Sequence, residues 1–162
     1  PRSKSSLGIC TALEWIVTLH DIVNPNSFIP VPKIKSRIIS MTPRDLIDES
    51  KADGQNTVLI STHAFVRMVV KHCFSERRKK LGNILPKVPR RISRRKGWYS
   101  QRWIEVIKNI ISAEHPDLPE NWFELRAEDL KLNHWLILSS WIECHNILND
   151  SEKNKSEHEI TS

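Results

Sequence analysis

Residues 63–81 read His-Ala-Phe-Val-Arg-Met-Val-Val-Lys-His-Cys-Phe-Ser-Glu-Arg-Arg-Lys-Lys-Leu. At about 100° per residue, Val66, Val69, Val70, Cys73 and Leu81 fall on one side of a helix, with Arg67, Lys71 and Arg78 as a basic stripe beside them. The spacing predicts a helix over 63–81, capped by Ser61 or Thr62 and stopped by Gly82-Asn83. Arg77 breaks the pattern, because it falls inside the apolar face. A guanidinium keeps its charge, so there it needs a carboxylate, carbonyls or a phosphate. The competing reading ends or turns the helix near Arg77 and lets the side chain reach water.

On the N-terminal side, Ile9, Leu13, Ile16 and Val17 predict a helix over 9–20, ended by Asn24-Pro25-Asn26. His20 falls on its apolar face, as a core histidine would. Phe28-Ile29-Pro30-Val31-Pro32-Lys33 is a stiff extended loop, since neither proline has an N–H to donate to a sheet. Residues 34–41 read as a strand that Thr42-Pro43 closes. Residues 44–56 are a polar loop, and Thr57-Val58-Leu59-Ile60 is a short strand or hydrophobic lead-in. On the C-terminal side, the prolines, glycine and cations of 86–97 predict a mobile basic loop. Ser100 is a candidate cap for a helix over 101–114 with Trp103, Ile107, Ile110 and Ile111 inward, terminated by Pro116 and Pro119. A turn over 126–132 leads to a last helix capped by Asn133. Trp135, Leu138 and Ile142 form its seam. Leu136, Ile137, Trp141 and Cys144 cover other faces, so it is expected to be buried on more than one side. Residues 150–162 are polar and expected to fray.

The chain has 162 residues and a net charge of +6. That length supports one core without metal or disulfide. Three widely spaced cysteines rule out a disulfide framework and suit a reducing compartment. No apolar run is long enough to span a membrane. The start, Pro1-Arg2-Ser3-Lys4, has neither an initiator methionine nor a signal-peptide core behind it, so it reads as a chain beginning in mid-protein. Charge is concentrated. Residues 67–96 carry 12 basic residues and 1 acidic, against 7 and 6 before them and 6 and 12 after. The block comprises Arg67, Lys71, Arg77, Arg78, Lys79, Lys80, Lys87, Arg90, Arg91, Arg94, Arg95 and Lys96. A field of that sign points to phosphate, in nucleic acid or anionic lipid. Catalytic signals are missing. The glycines Gly8, Gly54, Gly82 and Gly97 are isolated, so no P-loop or dinucleotide cradle is present. The histidines and cysteines are too scattered for a zinc site, and no metal is expected.

Three stretches in order resemble the ribosomal RNA adenine dimethyltransferase family. Residues 28–39 with Thr42-Pro43-Arg44 are similar to its F-x-P-x-P-K-V-x-S-x-V-V element. Residues 74–83 are similar to F-x-x-R-R-K-x-L-x-N, and Arg126-Ala127-Glu128-Asp129-Leu130 to R-x-E-x-L. Residues 3–13 weakly echo the segment after the family's catalytic loop, and the likeness covers about 3–148. The resemblance implies a mixed fold. Residues 1–60 would be the terminal part of a Rossmann-like α/β methyltransferase domain. Residues 61–148 would be a small all-α domain that binds RNA and carries the basic loop at 86–97, with 149–162 a disordered tail. It further implies a target-base pocket at Phe28, Pro30, Pro32 and Lys33 and RNA contacts from Arg77, Arg78, Lys79 and Lys80. The charge block extends the expected RNA contacts to all twelve basic residues, although the loop from Lys87 to Gly97 is more basic than the family pattern. The whole protein would use S-adenosylmethionine to dimethylate adenine N6 in small-subunit rRNA during ribosome biogenesis. Its partners would be that rRNA, the ribosomal subunit and the N-terminal methyltransferase half. The family's G-x-G cofactor element and N-[LI]-P-Y catalytic loop have no counterpart in 1–162, so the chain alone is expected to bind no cofactor and to be non-catalytic. Two alternatives share the scaffold: an inactive ribosome assembly or structural subunit, and a mitochondrial transcription-factor relative that binds promoter DNA. The divergent basic loop leans toward a mitochondrial location, with another organelle or the nucleolus and cytoplasm as alternatives.

Overall fold

The computed structural model describes residues 5–44 and 63–159, with side chains described as far as 147. The loop and short strand expected over 45–60 and the caps Ser61 and Thr62 lie outside the described residues.

Ser5 caps the first helix, α1 (Ser6–Glu14), its Oγ accepting from Gly8 N at 3.1 Å. The sequence periodicity extends this helix to residue 20, but the chain turns extended at Trp15 and forms β1 (Trp15–Val23). The run Trp-Ile-Val-Thr is aromatic and β-branched, which suits a pleated strand better than a helix. A partner is present in β2 (Ser36–Pro43), which pairs antiparallel to β1 from Trp15↔Pro43 to Val23↔Ser36, with an irregularity between Leu19 and Ile22. His20 is therefore an exposed strand residue, its Nε2 2.9 Å from Ser40 Oγ, and not a core histidine. The strand expected over 34–41 is present as β2. Residues 24–35 join the two strands through a 3-10 turn at Pro25–Ser27 and a cis Ile29–Pro30 bond.

The core belongs to the helices. α2 (His63–Phe74) buries Phe65, Val66, Val69, Val70 and Cys73. α3 (Leu81–Ile84) is a single turn. α4 (Ser100–Ile111) buries Trp103, Val106, Ile107 and Ile110. α5 (Leu132–Glu159) packs on α1, α2 and α4 through the expected seam of Trp135, Leu138 and Ile142. Ile9 and Leu13 of α1 join the same core, so the boundary drawn at residue 60 does not separate α1 from the helical unit. Three capping expectations and the expected tail are corrected. Gly82-Asn83 lies inside α3, not at the end of α2. Tyr99, not Ser100, precedes α4. Asn133 lies within the first turn of α5, where Trp135 N already bonds Lys131 O at 3.2 Å. The tail expected at 149–162 continues α5 as far as Glu159.

α2 also ends earlier than its periodicity predicts. Ser75 Oγ donates to His72 O at 2.7 Å, satisfying one of the last carbonyls of the helix. Beyond it, Lys80 pairs with Arg126 as an isolated β-bridge, and Leu81 N donates to Leu125 O at 2.8 Å. Arg77 thus sits in a turn after the helix, and the 100° arithmetic does not apply to it.

The hairpin is different. Val17 and Ser36 are half-buried, but Ile16, Leu19, Ile22, Ile38, Ile39 and Met41 are exposed. Pairing places Val17 and Leu19 on the face of Met41 and Ile39. An isolated two-stranded ribbon is marginally stable at best in water, and this one presents apolar side chains on both faces.

Candidate nucleic-acid interface

The basic loop expected to be mobile is a pinned turn. Pro89, Ile92 and Trp98 are buried. Trp98 stacks on Phe65 with centroids 5.7 Å apart and tilts against Trp103 at 5.5 Å. Successive turns close through Ile92 N to Pro89 O (3.0 Å), Arg94 N to Arg91 O (3.2 Å), Arg95 N to Ile92 O (3.0 Å) and Trp98 N to Arg95 O (3.1 Å). Burial of two large side chains offsets the ordering entropy that proline, glycine and like charges suggested would go unmet. The alternation leaves Arg90, Arg91, Arg94 and Lys96 exposed on one connection.

The twelve cations divide into two groups. Arg67 pairs with Glu14 (2.6 Å), Arg77 with Glu128 (2.9 Å), Lys79 and Lys87 with Glu76, Lys80 with Glu124, and Arg95 with Glu143 (3.2 Å). Arg95 also lies 4.9 Å over the Phe65 ring. Hydrogen bonds from Lys79 and Lys87 hold the pKa of the half-buried Glu76 carboxyl down at about 2. Lys71, Arg78, Arg90, Arg91, Arg94 and Lys96 have no carboxylate partner among the described residues. A neighbouring carboxylate cancels much of a cation's field, so this second group dominates the potential that a phosphate meets.

The Arg77 side chain is 62% exposed. Its pair with Glu128 is a surface pair, worth about 0–1 kcal/mol. Arg77→Ala should therefore shift a urea melt by no more than about 1 kcal/mol. A loss of about 3 kcal/mol or more would place the guanidinium against a buried partner instead.

Residues 74–83 and 126–130 dock on one another. The Lys80–Arg126 bridge and the Arg77–Glu128 pair join the two stretches, and the Leu81–Leu125 bond and the Lys80–Glu124 pair extend the contact to the residues just before 126. Gly82 permits the approach, because a Cβ there would lie 3.2 Å from Phe123 O. Asp129 closes the second stretch by accepting from Arg126 N at 2.9 Å.

His72 faces this region from α2. Its Nε2 lies 3.1 Å from Ile84 O, and its ring is edge-on to Trp103 at 6.3 Å. Burial pushes its pKa below the ordinary 6.5, outweighing the backbone bonds that favour the charged form. The unfolded chain then binds the proton more readily, so this contribution to stability is present above about 6.5 and is lost as pH falls through the lower folded value. Replacing His72 with Gln should flatten the fall in melting temperature between about pH 7 and 5. An unchanged slope would remove His72 from the acid response.

The residues that resemblance assigns to a base pocket share one element, the connection between β1 and β2. Phe28 is 39% exposed, Pro30 and Lys33 are exposed, and Pro32 is half-buried. The basic turn lies on a different element, between α3 and α4. Two features escape the sequence reading. Arg102 is 1% exposed, with Nε donating to Asn146 Oδ1 at 2.8 Å and Nη2 to Asn146 O. Its position four residues before Val106 carried the signal. A cleft of about 340 Å³ lies between the basic turn and α5, lined by Arg95, Lys96, Trp98, Glu143, Asn146 and Ile147. Among the described residues no group of histidine, cysteine and carboxylate side chains could hold a metal. No helix among them is long and apolar enough to cross a membrane. The described glycines do not form a cofactor cradle: Gly8 lies in α1, Gly82 packs on Phe123, and Gly97 faces Asn146 at φ 78°.

No protein-family profile matches the chain. A ribosomal RNA small subunit methyltransferase A of Geobacter metallireducens is 35% identical over 79 residues, 49% of this chain and 26% of that protein. The protein of the same name from Lactobacillus johnsonii is 37% identical over 87 residues, 52% of this chain and 26% of its own length. That of Synechococcus is 27% identical over 141 residues, 86% of this chain and 40% of its own. Part of this chain is homologous to these ribosomal RNA small subunit methyltransferases. A crystal structure of a dimethyladenosine transferase from Plasmodium falciparum overlays this chain with a TM-score of 0.51. The overlay covers 93% of this chain and 50% of that one at 20% identity, a likeness of fold. The chain thus spans about a quarter to two-fifths of its curated relatives and half of the solved structure. A small, mostly helical domain with a minor two-stranded sheet is what the structure contains, and it describes no complete Rossmann sheet.

Proposed function

We propose that this chain is the C-terminal part of an S-adenosylmethionine-dependent rRNA adenine N6,N6-dimethyltransferase that acts on small-subunit rRNA in ribosome biogenesis. The observation that carries the reading is the homology to rRNA methyltransferases together with the docking of residues 74–83 on 126–130. The exposed apolar faces of the hairpin support it too, since a larger sheet and its covering helices would bury Ile16, Leu19, Ile38 and Ile39. On this reading the hairpin closes the methyltransferase domain, and the helical core with its basic turn is held against rRNA. Phosphate contacts of that kind set affinity and register and do not read bases. Adenine N6 is reached only when the base leaves its stack, and the extruded ring needs an aromatic face and a stiff wall. Phe28, with Pro30, Pro32 and Lys33, supplies these. The glycines described above do not fit S-adenosylmethionine, so no cofactor contact is assigned to these residues.

The test is transfer of labelled methyl groups from S-adenosylmethionine to unmethylated small ribosomal subunits by the chain joined to a complete methyltransferase half. Two methyl groups on each target adenine are expected. A folded protein that binds the subunit without methylating it would overturn the enzymatic reading and leave an assembly subunit of the same fold.

A further inference from the structure

Tyr99 and Phe28 are the exposed aromatic side chains among the described residues, and Tyr99 is the more exposed at 48%. One exposed aromatic residue is ordinary. Its setting is what gives this one a role. Trp98 is locked inward between Phe65 and Trp103. Tyr99 has extended backbone (φ −145°, ψ 168°), so consecutive side chains point to opposite sides. Burying Trp98 therefore turns Tyr99 outward. Its carbonyl accepts from Trp103 N at 3.0 Å, which fixes the residue at the start of α4. It follows Lys96 by three residues, at the end of the turn that presents Arg90, Arg91 and Arg94, all without carboxylate partners among the described residues. An outward aromatic ring on a held backbone, following a connection of cations without carboxylate partners, is the combination that binds single strands: phosphates take the cations, and an unstacked base takes the ring.

We propose that Tyr99, with Arg90, Arg91, Arg94 and Lys96, forms a seat for single-stranded RNA, in which one unpaired base stacks on Tyr99 and neighbouring phosphates rest on the four cations. The inference rests on the RNA-binding reading above and adds a choice of strand state that a basic surface alone does not make. Double-stranded RNA would find the same cations but no free base for the ring.

Fluorescence anisotropy with a labelled 12-nucleotide single strand and a duplex of equal length, at about 50 mM salt, tests it. Tyr99→Ala should weaken single-strand binding about tenfold and leave duplex binding and the salt slope unchanged. Tyr99→Phe should keep single-strand affinity within about twofold, since the ring face remains. Changing the four cations together to glutamine should weaken both RNAs and make the plot of log K against log salt shallower. Equal losses on strand and duplex, or no loss with Tyr99→Ala, would overturn the seat while leaving RNA binding intact. An unmutated chain that binds neither RNA would overturn the RNA-binding reading and the seat with it. Vesicles containing phosphatidylserine form the control arm. If Tyr99→Ala loses only vesicle binding, the surface is a lipid seat and the proposal falls.

Discussion

Arg102→Met should destabilise the fold by about 2–6 kcal/mol, because two buried acceptors lose their donor and each costs about 1–3 kcal/mol when left unpaired. The guanidinium is 1% exposed and holds both the side-chain and the main-chain oxygen of Asn146. It is thereby a clamp between α4 and α5. Methionine keeps much of the volume and the flexible stem, so the loss reports hydrogen bonds more than a cavity. Urea melts of Arg102→Met, Asn146→Leu and the double variant measure the coupling. The double variant should cost less than the two single changes together, since each single change leaves the other partner stranded. Arg78→Ala, exposed and without a carboxylate partner among the described residues, should stay within about 0.5 kcal/mol of the unmutated chain. An Arg102→Met chain that melts with the unmutated one would mean that the guanidinium reaches water in solution.

The second large effect falls on chemistry. In the protein with a complete methyltransferase half, Phe28→Ala should lower adenine methylation tenfold or more. Stacking on an extruded base is worth about 1–3 kcal/mol, and about 1.4 kcal/mol is a factor of ten in rate. Tyrosine or tryptophan at Phe28 should keep part of the rate. A Phe28 packed in the core would make the same truncation cost about 3–5 kcal/mol of stability. At 39% exposure on the connection between β1 and β2, Phe28 should cost well below that. Methyl transfer and a melt of the same variant separate the cases. A variant that melts early but methylates normally below its midpoint would return Phe28 to a packing role.

The two arginines show how far spacing carries. Arg77 looks misplaced only if α2 continues to residue 81. The helix ends at Phe74, and Arg77 turns outward to Glu128. The rule was sound and its premise was not, because the premise depended on a bridge to Arg126 that lies 46 residues along the chain from Lys80. Arg102 obeys the same rule on a helix that does exist. Four residues before Val106, it falls on the buried face, and its charge is met by Asn146, 44 residues away. The basic turn repeats the lesson. Its composition resembles that of a mobile loop, yet Ile92 joins the core and Trp98 is inserted between Phe65 and Trp103 from other elements, and that burial orders the cations between them.

Sequence alone determined the apolar seams of α2, α4 and α5, a strand expected over 34–41 and observed two residues later at 36–43, the exclusion of Pro30 and Pro32 from a strand, and the concentration of positive charge in 67–96. Each of these rests on short-range periodicity, on proline's missing N–H or on composition, which need no partner elsewhere in the chain. Tertiary structure decided where α1 yields to β1, where α2 stops, which cations are neutralised, and that Trp98 points in while Tyr99 points out. Those outcomes depend on β2 lying beside β1, on Arg126 beside Lys80, on carboxylates between three and 53 residues away from their cations, and on the space between Phe65 and Trp103. Long-range pairing outweighs local preference here because a buried ring or a formed ladder is worth more than the few tenths of a kcal/mol by which about one residue's propensity favours helix over strand.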